Sequence, residues 1–241
     1  MTETLDALVR RVDPDRWLAA RFAGRRREDL SALYALNYEL ARVAETVSTP
    51  MLGEIRLAWW REGIAAGRRE AHPVLAALSS LPGLEATLLE AMVEARAPDL
   101  EPAPFADEDA LVAYIDATAG SLMAACARLL DPAAESAMVR GAARAWGWAG
   151  LGRSGPAWAA QGRRWTPLAW ADADDADISA HVAHRVEAAL DEAEEELRGL
   201  PVASFPAVAY ATLARQYAHG SRPGELEKRV RLVAAVLRGR L

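Results

Sequence analysis

The stretch DLSALYALNYELARVAETV, residues 29–47, decides how the rest of the chain is read. Its apolar residues Leu30, Leu33, Leu36, Leu40, Val43 and Val47 step by three or four. That spacing lays one continuous stripe along a helix and does not fit the alternation of a strand. Thr49-Pro50 interrupts the run, because the residue before a proline is pushed out of the helical region. A further helix is expected over MLGEIRLAWWREGIAAG, with Gly67 as its stop.

The same period extends in both directions. Toward the N-terminus, Asp13-Pro14-Asp15 opens a helix through Phe22, with proline suited to the first turn. Toward the C-terminus, His72-Pro73 starts a short helix and Leu84–Arg96 forms the next. Ala97–Ala106, with three prolines, reads as a loop. Asp107-Glu108-Asp109 places negative charge on the first turn of a helix running to Leu130, where the helix dipole favours it. Ala133–Arg153 is helical, Gly155–Asp177 reads as a long irregular connection, and Ile178–Arg198, Ser204–His219 and Arg222–Arg238 complete the set. With no strand alternation, interdomain linker or fixed repeat, residues 1–241 are expected to form one all-α domain of roughly nine to eleven helices. A composition of 52% hydrophobic residues with only 7% aromatics agrees with helices.

Charge and cysteine usage narrow the function. A net charge of -6 argues against a nucleic-acid binder. Cys126 is the only cysteine, which excludes an intrachain disulfide and a cysteine-built metal site. The opening MTETLDALVRR carries acids and no apolar core, so a secretory signal is not expected. The uncharged run near Gly199–Ala214 contains Pro201 and Pro206 and falls short of the ~20 apolar residues of a spanning helix. The expectation is a soluble, cytoplasmic protein whose membrane contact, if any, is peripheral at the inner face.

Several segments, in order, resemble the squalene/phytoene synthase family. Tyr34-Ala35-Leu36-Asn37-Tyr38 is similar to that family's Tyr-Ala-Phe-Cys-Arg run, which leads into an Asp-rich cluster. GEIRLAWWREGI resembles its Arg-x-x-x-Trp segment, His72-Pro73-Val74 its His-Pro-Val helix, and Tyr114 with Ala119-Gly120-Ser121 its Tyr…Ala-Gly-Ser helix. Gly162-Arg163-Arg164 with Pro167 is similar to the stretch after its second Asp-rich site. The resemblance covers residues 13 to 240 and implies an isoprenoid-synthase-like helical bundle around a central cavity.

It also implies where chemistry would sit. Enzymes of the family ionise a prenyl diphosphate, and magnesium held by paired carboxylates neutralises the departing charge. Here the first cluster falls on Ala41-Arg42-Val43-Ala44-Glu45, where Glu45 is the one acid and Arg42 is a cation. The second falls near Gly152–Trp158, which holds Arg153 and Ser154 and no carboxylate. Tyr38, Arg42 and Glu45 are therefore a degenerate first site, with no catalytic residue and no metal ligand expected. Arg153, Ser154, Arg163 and Arg164 are a degenerate second site suited to an anion such as phosphate or a lipid headgroup.

Other features read more plainly. Glu39, Glu45 and Glu54 could meet across a helix pair, but ion pairs with Arg42, Arg56 or Arg61 are the expected arrangement. Asp172–Asp177 resembles a metal motif, yet acids before a helix serve as caps. His181 and His184 follow on that helix. Trp59, Trp60, Trp146 and Trp148 are core candidates, whereas Trp158, Trp165 and Trp170 lie in the expected irregular stretch and suit a lid, a partner surface or membrane contact. The last helix is amphipathic with a basic face; it is expected to pack on the domain, with an anionic membrane surface or another protein as the alternatives.

Asn37-Tyr38-Glu39-Leu40-Ala41 resembles the noncatalytic branch of the family that helps assemble mitochondrial respiratory complex I. The resulting expectation is a non-enzymatic helper without a cofactor, whose partner is a respiratory-complex subunit. The alternatives are a prenyltransferase condensing prenyl diphosphates with Mg²⁺, and a lipid or isoprenoid carrier.

Overall fold

The computed structural model describes residues 3–101, 103–160 and 162–241. Met1 and Thr2 of the opening segment, Pro102 of the proline-rich loop and Gln161 of the expected 155–177 connection lie outside these. Among the described residues there is no β-strand; one isolated bridge joins Phe105 to Pro167. The architecture is all-α, as the periodicity predicts.

Helices α1 (Leu5–Val12) and α2 (Pro14–Ala20) meet at Asp13, whose side chain accepts from the Arg16 amide and so caps α2. Helix α3 (Arg27–Ala41) is the centre of the bundle, with Leu30, Leu33, Leu36 and Leu40 at most 1% exposed. Ala32, Tyr34 and Ala35 are equally buried, so α3 is covered on more than the one face its stripe defines. Short α4 (Val43–Thr46) leads to α5 (Pro50–Ala65), which Thr49 caps. Helices α6 (Pro73–Leu78) and α7 (Ala86–Glu94) follow. Then α8 (Glu108–Ile115) and α9 (Ser121–Leu130) run as one helix through a π turn at Asp116–Gly120. Helix α10 (Arg140–Ala160) packs along α11 (Asp175–Glu196), and α12 (Ala214–Ala218) and α13 (Glu225–Arg238) close the bundle.

The combined helix Glu108–Leu130 is long and apolar enough to cross a membrane, with mean hydropathy 1.5 over its best window. It is a core helix here, since Leu111, Ile115, Leu122 and Met123 are at most 1% exposed within the bundle.

Three boundaries differ from the sequence reading. The helix expected over residues 29–47 breaks at Arg42, whose carbonyl accepts from both Glu45 and Thr46. The Thr46 hydroxyl also bonds that carbonyl, so a side chain competes with the helical ladder. Helix α10 does not stop at the Gly/Ser/Pro cluster but runs through Pro156 to Ala160. Its face stays buried there because Gly155 leaves room for Trp165; a Cβ on Gly155 would lie 2.3 Å from the indole nitrogen. Trp165 is thus a core residue, not the lid expected of it. Finally, Val202–Leu213 forms 3₁₀ turns instead of an α-helix. Pro206 has no N–H to offer the Val202 carbonyl, so the wider α pattern cannot propagate.

Candidate functional site

The residues singled out from the sequence fall into three separate environments. The first lies at the end of α3. Tyr38 and Arg42 stack, with the guanidinium 5.3 Å from the ring centre, and Arg42 lies 3.9 Å from Glu39. Glu45, on α4, is exposed. Glu54 does not join Glu39 or Glu45; it lines a different pocket on α5. Arg61 pairs with Glu94 at 3.6 Å.

Behind this end of α3, His72 caps α6. Its Nδ1 accepts from the Val74 amide at 3.2 Å, and its ring meets Trp60 edge-on at 4.9 Å. Burial, the largest influence, pushes the imidazole pKa down; Glu39 opposes this and Arg56 reinforces it. The unfolded chain therefore takes up the proton more readily. Stability is complete above the ordinary His value of about 6.5 and is lost as pH falls through it toward the depressed folded value. Protonation also removes the acceptor that caps α6. Thermal melts should fall between about pH 7 and 5.5 more steeply for the native chain than for His72→Asn, which keeps a neutral cap. Equal slopes would assign the loss to other groups.

The second environment gathers Arg153 with residues the sequence reading did not single out for function. Asp15 of α2 is 4% exposed. It accepts from the Tyr217 hydroxyl at 2.6 Å and lies 2.9 Å from Lys228 Nζ and 3.8 Å from Arg153. The Arg153 guanidinium covers the Tyr217 ring at 4.1 Å and the Trp146 ring at 4.9 Å. Burial, with Asp15 beside it, pushes the Tyr217 pKa up to about 12, while the Asp15 carboxylate outweighs burial at Lys228 and raises its pKa. Four helices (α2, α10, α12 and α13) are tied together at one carboxylate. Ser154 is exposed beside it on α10.

Arg16, the residue after Asp15, enters the bundle. Its side chain is 8% exposed and pairs with Asp13 at 2.7 Å. Its guanidinium lies 5.0 Å from the Tyr210 ring, 5.5 Å from Trp146 and 5.8 Å from Tyr34. Burial opposes the charge, yet Tyr210 and Asp13 hold the Arg16 pKa above its ordinary value. Tyr34 belongs to α3 and Trp146 to α10, so a buried cation lies in the interior between these two helices. Only Asp13-Pro14-Asp15, read as a helix start, hinted that this segment mattered.

The third environment is a cavity of about 740 Å³ bounded by α5, the 94–106 segment, α8 and the end of α10. Arg163 and Arg164 line it with Trp158, Phe105 and Tyr114. Arg163 lies over Trp158 at 4.4 Å and donates to the Asp99 carbonyl. Tyr114 donates to Asp99 at 2.6 Å, and Arg96 reaches Tyr114, Asp99 and Asn37. Arg164 is exposed at the rim. Sequence reasoning found Arg163, Arg164 and Tyr114 but not Arg96 or Asp99, whose i, i+3 spacing was the available signal.

The acidic run before α11 caps it: Asp174 accepts from the Ala176 and Asp177 amides. His181 turns away from that run to Glu108 at 3.1 Å and packs on Trp170 at 4.3 Å, while His184 is exposed. Among the described residues, no three His, Cys, Asp or Glu side chains are grouped to share a metal ion.

Comparison with solved structures shows the same fold elsewhere. A dehydrosqualene synthase crystallised with a ligand is 15% identical, with a TM-score of 0.81 over 97% of this chain and 94% of that one. The squalene synthase HpnC from Alicyclobacillus acidocaldarius is 16% identical, with a TM-score of 0.68 over 96% and 91%. No curated protein matches the sequence. The family model for squalene/phytoene synthase matches residues 9–222, and by that match this chain belongs to the squalene/phytoene synthase family.

Proposed function

We propose that this chain is a noncatalytic member of its family, serving as a helper in assembly of a respiratory complex. The observation that carries the first half is Arg16, whose charge occupies the interior between α3 and α10 beside Tyr34, Trp146 and Tyr210. An isoprenoid chain requires apolar space there, and displacing a paired, buried cation would cost several kcal/mol. The residues at the two cluster positions agree. A magnesium ion takes carboxylate and water oxygens, whereas these positions offer Glu45 alone and two guanidinium groups, those of Arg42 and Arg153. That donor set does not fit the ion. The assembly role rests on the likeness of Asn37–Ala41 to the noncatalytic branch, which is analogy.

A second reading, a carrier of a lipid or isoprenoid, is favoured by the 740 Å³ cavity with Arg164 at its rim. One set of measurements separates the readings. Radiolabelled farnesyl and geranylgeranyl diphosphate with Mg²⁺ should give no product above buffer; turnover abolished by Glu45→Gln would restore the prenyltransferase. Native mass spectrometry should find no copurifying lipid, whereas one lost on Trp158→Ala would establish the carrier. Deleting the gene in its native cell should lower assembled respiratory complex on native gels, and an unchanged level would remove the assembly role.

A further inference from the structure

Helix α13 has an inner and an outer side. The inner side, with Leu232 and Ala235 buried, packs on the Ala209–Leu213 turn and on α2. The outer side carries Leu226, Val230, Val233 and Leu237, exposed by 76%, 59%, 41% and 81%. Their spacing of four, three and four makes one apolar stripe. Val230, Val233 and Leu237 line an open groove of about 400 Å³ edged by Arg229 and Arg238. Around the helix lies a cleft of about 560 Å³ between α13, α11 and α12, lined by Arg215, Arg231, Arg238 and Arg240 against the single side-chain carboxylate of Glu194. Arg231 is held by Glu227 at 3.1 Å, whereas Arg238 and Arg240 make no ion pair among the described residues. Groove and cleft share Ala234 and Arg238, so the apolar stripe passes directly into a cationic hollow.

Charge points to the occupant. Residues 222–241 carry six cations and two acids, a net +4, on a chain of net charge -6. An anionic surface would attract this end and repel the remainder, and so orient the molecule. A second copy is a poorer fit: the stripe is about 17 Å long and one helix wide, short of the surface a stable dimer buries. Its side chains are aliphatic, without the aromatic anchors that concentrate protein–protein binding energy. Fluid acyl chains need no shaped pocket, and a headgroup phosphate suits the guanidinium groups next to them.

We infer that α13 is a membrane-docking helix, laying Leu226, Val230, Val233 and Leu237 into an anionic phospholipid surface while Arg238 and Arg240 hold headgroup phosphates. The test is cosedimentation of the full chain with vesicles of phosphatidylcholine alone or mixed with phosphatidylglycerol. The chain should pellet with the mixed vesicles and not with the neutral ones, and about 0.5 M salt should release it. Leu226→Asp with Leu237→Asp, and separately Arg238→Glu with Arg240→Glu, should each weaken binding about tenfold or more. Both pairs are exposed, so unchanged melting curves will show that the fold survives. Native binding to neither vesicle, or variants that bind like the native chain, would overturn the inference. So would a concentration-dependent dimer, seen by light scattering, that Leu237→Asp dissolves without any vesicle binding.

Discussion

Replacing Gly141 with alanine is expected to destabilise the protein by about 3 kcal/mol, the upper end for overpacking by a single group. The reason is what the added methyl would meet. A Cβ on Gly141 would lie 2.6 Å from the Ala193 nitrogen, 2.7 Å from the Ala189 oxygen and 2.9 Å from the Ala193 Cα. All three are backbone atoms of α11, so no side chain can swing aside and α10 and α11 must separate. Separation also loosens Glu196, which accepts from the Gly141 amide at 2.7 Å and from Arg140 at 2.9 Å. A chain of this size should lose roughly 6–12 °C of melting temperature. Gly150 of the same helix is the control, because nothing lies within 4 Å of its Cβ position. Gly150→Ala should leave stability unchanged or raise it by up to about 1 kcal/mol. Equal effects at the two sites would mean that α10 and α11 are not in backbone contact.

The second large effect concerns Arg16 and Asp13. Asp13→Asn keeps an amide oxygen to cap α2 but leaves the buried guanidinium without its counter-charge, at an expected cost of about 3–5 kcal/mol. Arg16→Met should cost less, about 2–3 kcal/mol. It forfeits the contacts with three aromatic rings, but the Asp13 it leaves behind is 21% exposed and water can still reach it. The double substitution should cost less than the two singles summed, since each single strands a charge that the double removes. Additive losses in urea unfolding would sink the account of Arg16 as a paired interior cation. The Arg16→Met protein also bears on function: if the guanidinium is what blocks the interior, this variant should bind an apolar probe more tightly than the native chain does.

Much of the fold was legible because helical periodicity is a local property. The stripe from Leu30 to Leu40 and the caps at Asp13, Thr49, His72 and Asp107 all act within a few residues, and each marks the start or body of a helix. Two boundaries failed for local reasons, at Thr46 and Pro206, and a third because a distant residue overrules a local signal. The Gly152–Pro156 cluster looks like a helix stop, but Trp165 buries against Gly155 and the helix continues.

The candidate site divides along the same line. The order of its helices and motifs alone determined that this is a helical chain resembling the squalene/phytoene synthases. The sequence could not tell which cations share a neighbourhood. It grouped Arg42 with Tyr38 and Glu45, and Arg153 with Ser154, Arg163 and Arg164. Tertiary structure gives Arg42 to Tyr38 and Glu39, Arg153 to Asp15 and Tyr217, and Arg163 to Trp158 and Asp99. It also gives the interior to Arg16, a residue with no motif around it. The physical reason is that a charge's role depends on what lies within about 4–6 Å of it. Asp15 and Tyr217 are 202 residues apart in the chain, so that neighbourhood exists only once the helices have packed.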